Sequence, residues 1–140
     1  MKKVILVLAA LLLVTSCSKK DVKFEAFSAE AFAFDIGDGK AEVNATVRVK
    51  GFTQTEKDDI YKAAVAYDVD LIKPDSSVVK SIFKDVKTET GSEPIADVAL
   101  EAQFNLDSTY ADGNYKLIFN ITDKHSEGTA VSEVKFDLSR

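Results

Sequence analysis

Residues 41–50, AEVNATVRVK, alternate without a break. Ala41, Val43, Ala45, Val47 and Val49 fall on one side, and Glu42, Asn44, Thr46, Arg48 and Lys50 on the other. Period 2 is the mark of a strand with one buried and one wet face. It excludes a helix, whose apolar residues recur three and four apart. The same pattern returns along the chain. Residues 63–72 turn Val65, Tyr67, Val69 and Leu71 inward, with Asp68 and Asp70 outward. Residues 96–106 turn Ala96, Val98, Leu100, Ala102, Phe104 and Leu106 inward. Residues 115–122 do so with Tyr115, Leu117, Phe119 and Ile121, and residues 130–138 with Ala130, Ser132, Val134, Phe136 and Leu138. Two less regular segments, 24–34 and 78–89, bring the set to seven.

Turn residues separate these segments. Asp35, Gly37, Asp38 and Gly39 form one cluster, with glycines available for positive φ. Pro74-Asp75-Ser76 suits a type I turn, because proline presets φ. Further breaks fall at 91–94, 112–114 and 124–128. Residues 55–62 suggest a single helical turn, with Thr55 as a weak N-cap. Seven short strands without a βαβ crossover predict an all-β chain, an antiparallel β-sandwich of about seven strands. Lys80, Lys84 and Lys87 read as charges guarding an exposed edge strand.

The C-terminal third resembles bacterial immunoglobulin-like domains. Tyr110-Ala-Asp-Gly-Asn-Tyr115, then LIFNITD, a hairpin and VKFDL are similar to the last two strands of those domains. The resemblance covers about thirty residues and implies an immunoglobulin-like sandwich, with Tyr110 as the tyrosine that bridges a corner. The tryptophan and disulfide of antibody domains are missing: the chain has no Trp and a single Cys.

The first sixteen residues differ from the rest. Met1-Lys2-Lys3 is a basic start, and residues 4–14, VILVLAALLLV, are an unbroken apolar run of eleven. A membrane-spanning helix takes about 20 residues, so the run fits the apolar region of a secretory signal. Val14-Thr15-Ser16-Cys17 then resembles the lipobox of bacterial lipoproteins: an aliphatic residue, two small residues, cysteine. The resemblance implies a diacylglyceryl group on the Cys17 thiol, cleavage after Ser16, and acylation of the new amine. Two or more acyl chains hold a protein stably to a membrane, where one holds it only marginally. Cleavage removes Lys2 and Lys3 and leaves 124 residues with a net charge of −7 in place of −5. The expected organisation is a cleaved signal peptide at 1–16, a lipidated cysteine and tether at 17–23, and a sandwich at 24–140. Residues 18–23 reach at most about 20 Å when extended. Lys19, Lys20 and Lys23 lie where anionic headgroups would attract them, and fit a solvated linker equally well. Ser18 stands where the family often places aspartate for inner-membrane retention, and leans towards the outer membrane of a Gram-negative cell.

Chemistry-bearing constellations are few. The single histidine, His125, lies in a hairpin loop and is not placed to activate Cys17. A pI near 4.9, without a dense basic cluster after the N-terminus, argues against nucleic acid. Residues 35–46 miss the EF-hand register, because Gly37, Gly39 and Thr46 stand where ligands are needed. Asp123, His125 and Glu127 are weak metal candidates at alternate positions. Asp68 and Asp70 could do acid–base work in a cleft but would be solvated on an open face. Asn44-Ala-Thr46 and Asn120-Ile-Thr122 match the glycosylation pattern by chance. No phosphate loop or nucleophile–base pair is present, so an enzyme is not expected, nor a cofactor. Ile118 and Val131 mark a partner face, joined by Ala64, Ala66 and Ile72 if the strand at 63–72 is their neighbour.

These readings point to a lipid-anchored module of the cell envelope that binds or supports an envelope protein or glycan. Two alternatives remain open: a metal- or small-ligand-binding sandwich using residues 123–128, and an inhibitor of an external enzyme.

Overall fold

The computed structural model describes residues 21–140, which form eight antiparallel strands. They are β1 (Glu25–Gly37), β2 (Lys40–Lys50), β3 (Thr55–Lys57), β4 (Ile60–Ile72), β5 (Val78–Gly91), β6 (Asp97–Leu106), β7 (Gly113–Asp123) and β8 (Thr129–Leu138). One sheet has the order β1-β2-β6. In the other, β4 is flanked by β5 on one edge and by β7 on the other, with β8 outside β7. The short β3 pairs with the start of β4, in line with β7. Successive strands cross between the sheets after β2, β5 and β6. This is the immunoglobulin-like arrangement that the alternation and the C-terminal third predict.

The inward rows meet in one core. Val43, Val47, Val49, Leu100 and Leu106 face Val65, Leu71, Leu117, Phe119 and Ile121, all withdrawn from water. Each such side chain contributes roughly 1.5–3 kcal/mol by burial. Ala96 is an exception: it precedes β6 and is exposed.

Two hairpins close on two-residue turns. Asp38 and Gly39 have φ of 55° and 69° between Gly37 and Lys40. Asp58 and Asp59 have φ of 52° and 60° between Lys57 and Ile60. Two positive φ values in a row define the type I′ turn, whose twist matches that of the flanking strands. Residues 55–62 are therefore a hairpin and not the helical turn that Thr55 suggested. Aspartate tolerates the left-handed region, and pairing to β4 satisfies backbone groups that one helical turn would leave open. Pro74 sits in the expected turn, where the Ser76 amide donates to the Lys73 carbonyl over 2.9 Å.

The corner tyrosine is Tyr115, not Tyr110. The Tyr115 hydroxyl donates to the Ala111 carbonyl over 2.6 Å, four residues upstream, and its ring stacks on Phe136 at 5.3 Å. Tyr110 lies outside the strand with the Lys73 ammonium 5.0 Å above its ring.

The connections fall at two poles. The β1–β2, β4–β5 and β6–β7 connections lie at one, where Arg140 links the carbonyls of Gly39, Asp107 and Tyr110 and pairs with Asp112. The chain enters at the other, beside the β7–β8 hairpin.

Candidate functional site

Val14, Thr15, Ser16 and Cys17, read from sequence as a lipobox, lie outside the described residues. The point where the chain enters the fold, from residue 21, is described. Gly51, at φ +77°, crosses under the incoming chain: a Cβ there would stand 2.1 Å from the Lys23 carbonyl oxygen and 2.7 Å from the Phe24 nitrogen. Only glycine allows that approach. The Phe24 ring lies against Gly128 of the β7–β8 hairpin, where a Cβ would come within 3.2 Å of it. The entering chain is thus held from Lys23 onwards.

The β7–β8 hairpin is built around Asp123, only 2% exposed. Its Oδ2 accepts from the Thr53 amide at 2.7 Å and from the Ser126 hydroxyl at 2.8 Å, and Oδ1 accepts from the His125 amide at 3.0 Å. Burial alone would raise its pKa. The hydrogen bonds from Thr53, His125 and Ser126 outweigh that and hold the carboxyl below its usual range. Asp123 therefore faces into the fold while His125 and Glu127 are exposed, so the three do not converge as their alternate spacing suggested. Among the described residues no three His, Cys, Asp or Glu side chains are grouped to hold a metal. The chemistry of Asp123 is to tie the β2–β3 connection to the hairpin.

The outer face of the β4–β7–β8 sheet contains the predicted partner residues. β4 is the neighbour of β7, as the partner-face reading required. Ile118 is half-buried between Asp70 and Glu133, whereas Val131 is 67% exposed opposite Asn120. The two apolar residues sit on different rungs, separated by Asn120 and by the Lys116–Glu133 ion pair. A shallow groove of about 400 Å³ runs beside them, lined by Ala66, Asp68, Lys84, Val86, Asn120 and Thr122.

Asp68 and Asp70 do not form a solvated pair. Between Phe83 and Val79, β5 carries three residues opposite the single Asp70 of β4, a bulge with Ser81 at φ 47°. The bulge folds over Asp70 and leaves it 4% exposed. Asp70 accepts from Lys80 Nζ at 2.8 Å, the Ser81 amide at 2.9 Å and Asn120 Nδ2 at 3.2 Å. Desolvation pushes its pKa up, and these three partners more than cancel the push. Asp68 accepts from the Ser81 hydroxyl at 2.9 Å. The Asp70 carboxylate is a clamp on the bulge, and Lys80, read from sequence as an edge guard, is part of it. Lys84 and Lys87 do lie on an edge strand.

A further surface escaped the sequence reading. β1 turns Ala29, Ala31 and Ala33 towards the core and leaves Phe32, Phe34 and Ile36 outside, at 55%, 54% and 49% exposure. The alternation of residues 29–34, AEAFAF, allows either row to face in, and hydropathy alone favours the phenylalanines. The smaller row is inside because β1 lies close against β8, where methyl groups fit and rings do not. A bulge at Ser28, φ 52°, sets that register.

No family model matches the sequence, and no curated protein matches it. Solved structures do resemble the fold. A Bordetella pertussis structural-genomics protein bearing the name ApaA is 9% identical, with a TM-score of 0.51 over 84% of this chain and 97% of that one. The Northeast Structural Genomics Consortium target SoR45 is 11% identical, with a TM-score of 0.49 over 82% and 86%. A family 123 glycoside hydrolase from Clostridium perfringens is 12% identical, with a TM-score of 0.40 over 71% of this chain and 21% of that one. At such identities the likeness is one of fold alone.

Proposed function

We propose that this chain is a lipid-anchored protein of the cell envelope, a non-catalytic module that binds or supports another envelope component. The observation that carries the reading is the block 1–17: basic start, apolar run, small residues, then the only cysteine. Lipidation at Cys17 and cleavage after Ser16 make Cys17 the first residue of the working protein. The way the chain enters the fold supports the reading. With Lys23 packed on Gly51, the free tether shrinks to about five residues, roughly 17 Å when extended. Such a tether keeps the entry pole near the bilayer and turns the Arg140 pole away from it. The absence of aspartate at Ser18 favours the outer membrane of a Gram-negative cell.

Mass spectrometry of the purified mature protein tests this directly. The expected N-terminal peptide begins at Cys17 and carries the mass of a diacylglyceryl group and an N-acyl chain. A peptide beginning at Met1, or at an unmodified residue after the apolar run, overturns the reading.

A further inference from the structure

The ladder register of the β1–β2–β6 sheet lays two rungs side by side on its outer face. One runs Phe32, Asn44, Gln103, and the other Phe34, Glu42, Asn105. Each rung passes from an aromatic ring, across a polar side chain, to an amide on three adjacent strands. Neighbouring strands are about 4.8 Å apart, and the two rungs about 7 Å, so the six side chains share one flat platform. Its polar part is organised. Asn44 Nδ2 donates to Glu42 Oε1 at 2.8 Å, and this bond, with the Gln103 amide on the same rung as Asn44 nearby, holds the Glu42 carboxyl below its usual pKa range.

The charge of this face selects among ligands. The two rungs contain no lysine or arginine; Glu30 and Glu101 flank them across Thr46, and at the other end Lys40, next to Glu42 on the outward row of β2, is offset by Asp107. Arg48 and Lys50 lie further towards the entry pole, paired with Asp97 and Glu25. With four carboxylates (Glu30, Glu42, Glu101, Asp107) against the one bordering lysine, the face is net acidic and disfavours anionic ligands and a second acidic copy of this chain. What fits is an uncharged molecule with flat apolar faces edged by hydroxyls. Rings take the apolar faces, and amides and a carboxylate take the hydroxyls.

We propose that this outer face binds a neutral oligosaccharide chain, its sugar rings stacked on Phe32 and Phe34 and its hydroxyls bonded to Glu42, Asn44, Gln103 and Asn105. The site deepens the binding role proposed above, and takes from it only the expectation of a non-catalytic partner.

The test uses detergent-solubilised full-length protein. It is run through native gels containing glucomannan, amylopectin, laminarin or mixed-linkage β-glucan, and mixed with insoluble chitin and cellulose. At least one polysaccharide should retard or retain it. Phe32→Ala with Phe34→Ala should weaken that binding about tenfold, since two stacking contacts are lost. Gln103→Ala should weaken it less. All three side chains are exposed, so the variants should keep the native circular dichroism. No retention by any of these polysaccharides overturns the proposal, as does retention unchanged in the double variant. Binding of a lysine-rich peptide alone, or a dimer broken by the double variant, also overturns it. None of these readouts depends on membrane attachment, so the sugar site and the lipid anchor fail separately.

Discussion

The Lys80 ammonium reaches back over a β-bulge to the buried carboxylate of Asp70, with Nζ 2.8 Å from Oδ2. Lys80 itself is exposed and Asp70 is not, so the lysine side chain closes over the buried carboxylate from the solvent side. Within the fold the Ser81 amide and Asn120 complete the carboxylate's partners. The bulge thus has a charged post at its centre, within the ladder that pairs β5 with β4.

This geometry makes stability depend on pH. The folded Asp70 pKa is depressed, so its stabilisation is fully present above the unfolded value of about 3.9 and is lost as pH falls through the folded value. Asp123 acts in the same direction. The urea midpoint should be flat from about pH 7 to 5 and fall below about pH 4. Asp70→Asn should cost about 1–3 kcal/mol at neutral pH, through the weakened hydrogen bonds, and less in acid. An equal loss at both pH values contradicts the role of the charge.

The β3–β4 turn gives a prediction whose sign separates two structures. Asp59→Gly should stabilise by about 0.5–1 kcal/mol, because glycine accepts positive φ without strain. In a helical turn the same change would instead cost about 0.1–0.3 kcal/mol. Thermal unfolding of the variant decides between them.

Tyr115→Phe removes only the hydroxyl that bonds the Ala111 carbonyl. The expected loss is about 1 kcal/mol or somewhat more, with the Phe136 stack intact. Tyr110→Phe, at the position that the immunoglobulin-like resemblance favoured, should change stability by less than about 0.5 kcal/mol. Equal effects of the two substitutions would remove the corner role from Tyr115.

The strands were legible because each buries one face, and a strict alternation such as that of residues 41–50 admits one structure. The rest depended on relations between strands. The Asp70 side chain points outward, as its position in β4 implies, but the bulge that covers it arises ten residues later in β5. The phenylalanines of β1 are outside because of the distance to β8, which local hydropathy does not encode. Asp123, His125 and Glu127 alternate in sequence, yet the first ends the inward row of β7 and is paired there by the Thr53 amide, far away in the chain, whereas the other two lie in the turn beyond the strand. Thr55 suggested a cap from its local sequence, whereas its actual partner, Lys62, lies across a turn made of two aspartates.

Gly51 packs against the chain where it enters the fold, at Lys23 and Phe24. Gly51→Ala places a Cβ against the Lys23 carbonyl and strains a φ of +77°. It should destabilise by more than about 1 kcal/mol. It should also release residues 21–24, so that trypsin cuts after Lys23 sooner than in the unaltered protein. Unchanged cleavage at Lys23 would show that the entering chain is not held there.

The central claim is that Cys17 ties this sandwich to a membrane. Detergent phase partitioning of cells that express the full chain, unaltered or with Cys17→Ala, measures it. The unaltered protein should enter the detergent phase and the variant the aqueous phase or the unprocessed precursor pool. Processed variant that still enters the detergent phase, or unaltered protein in the aqueous phase, would contradict the account.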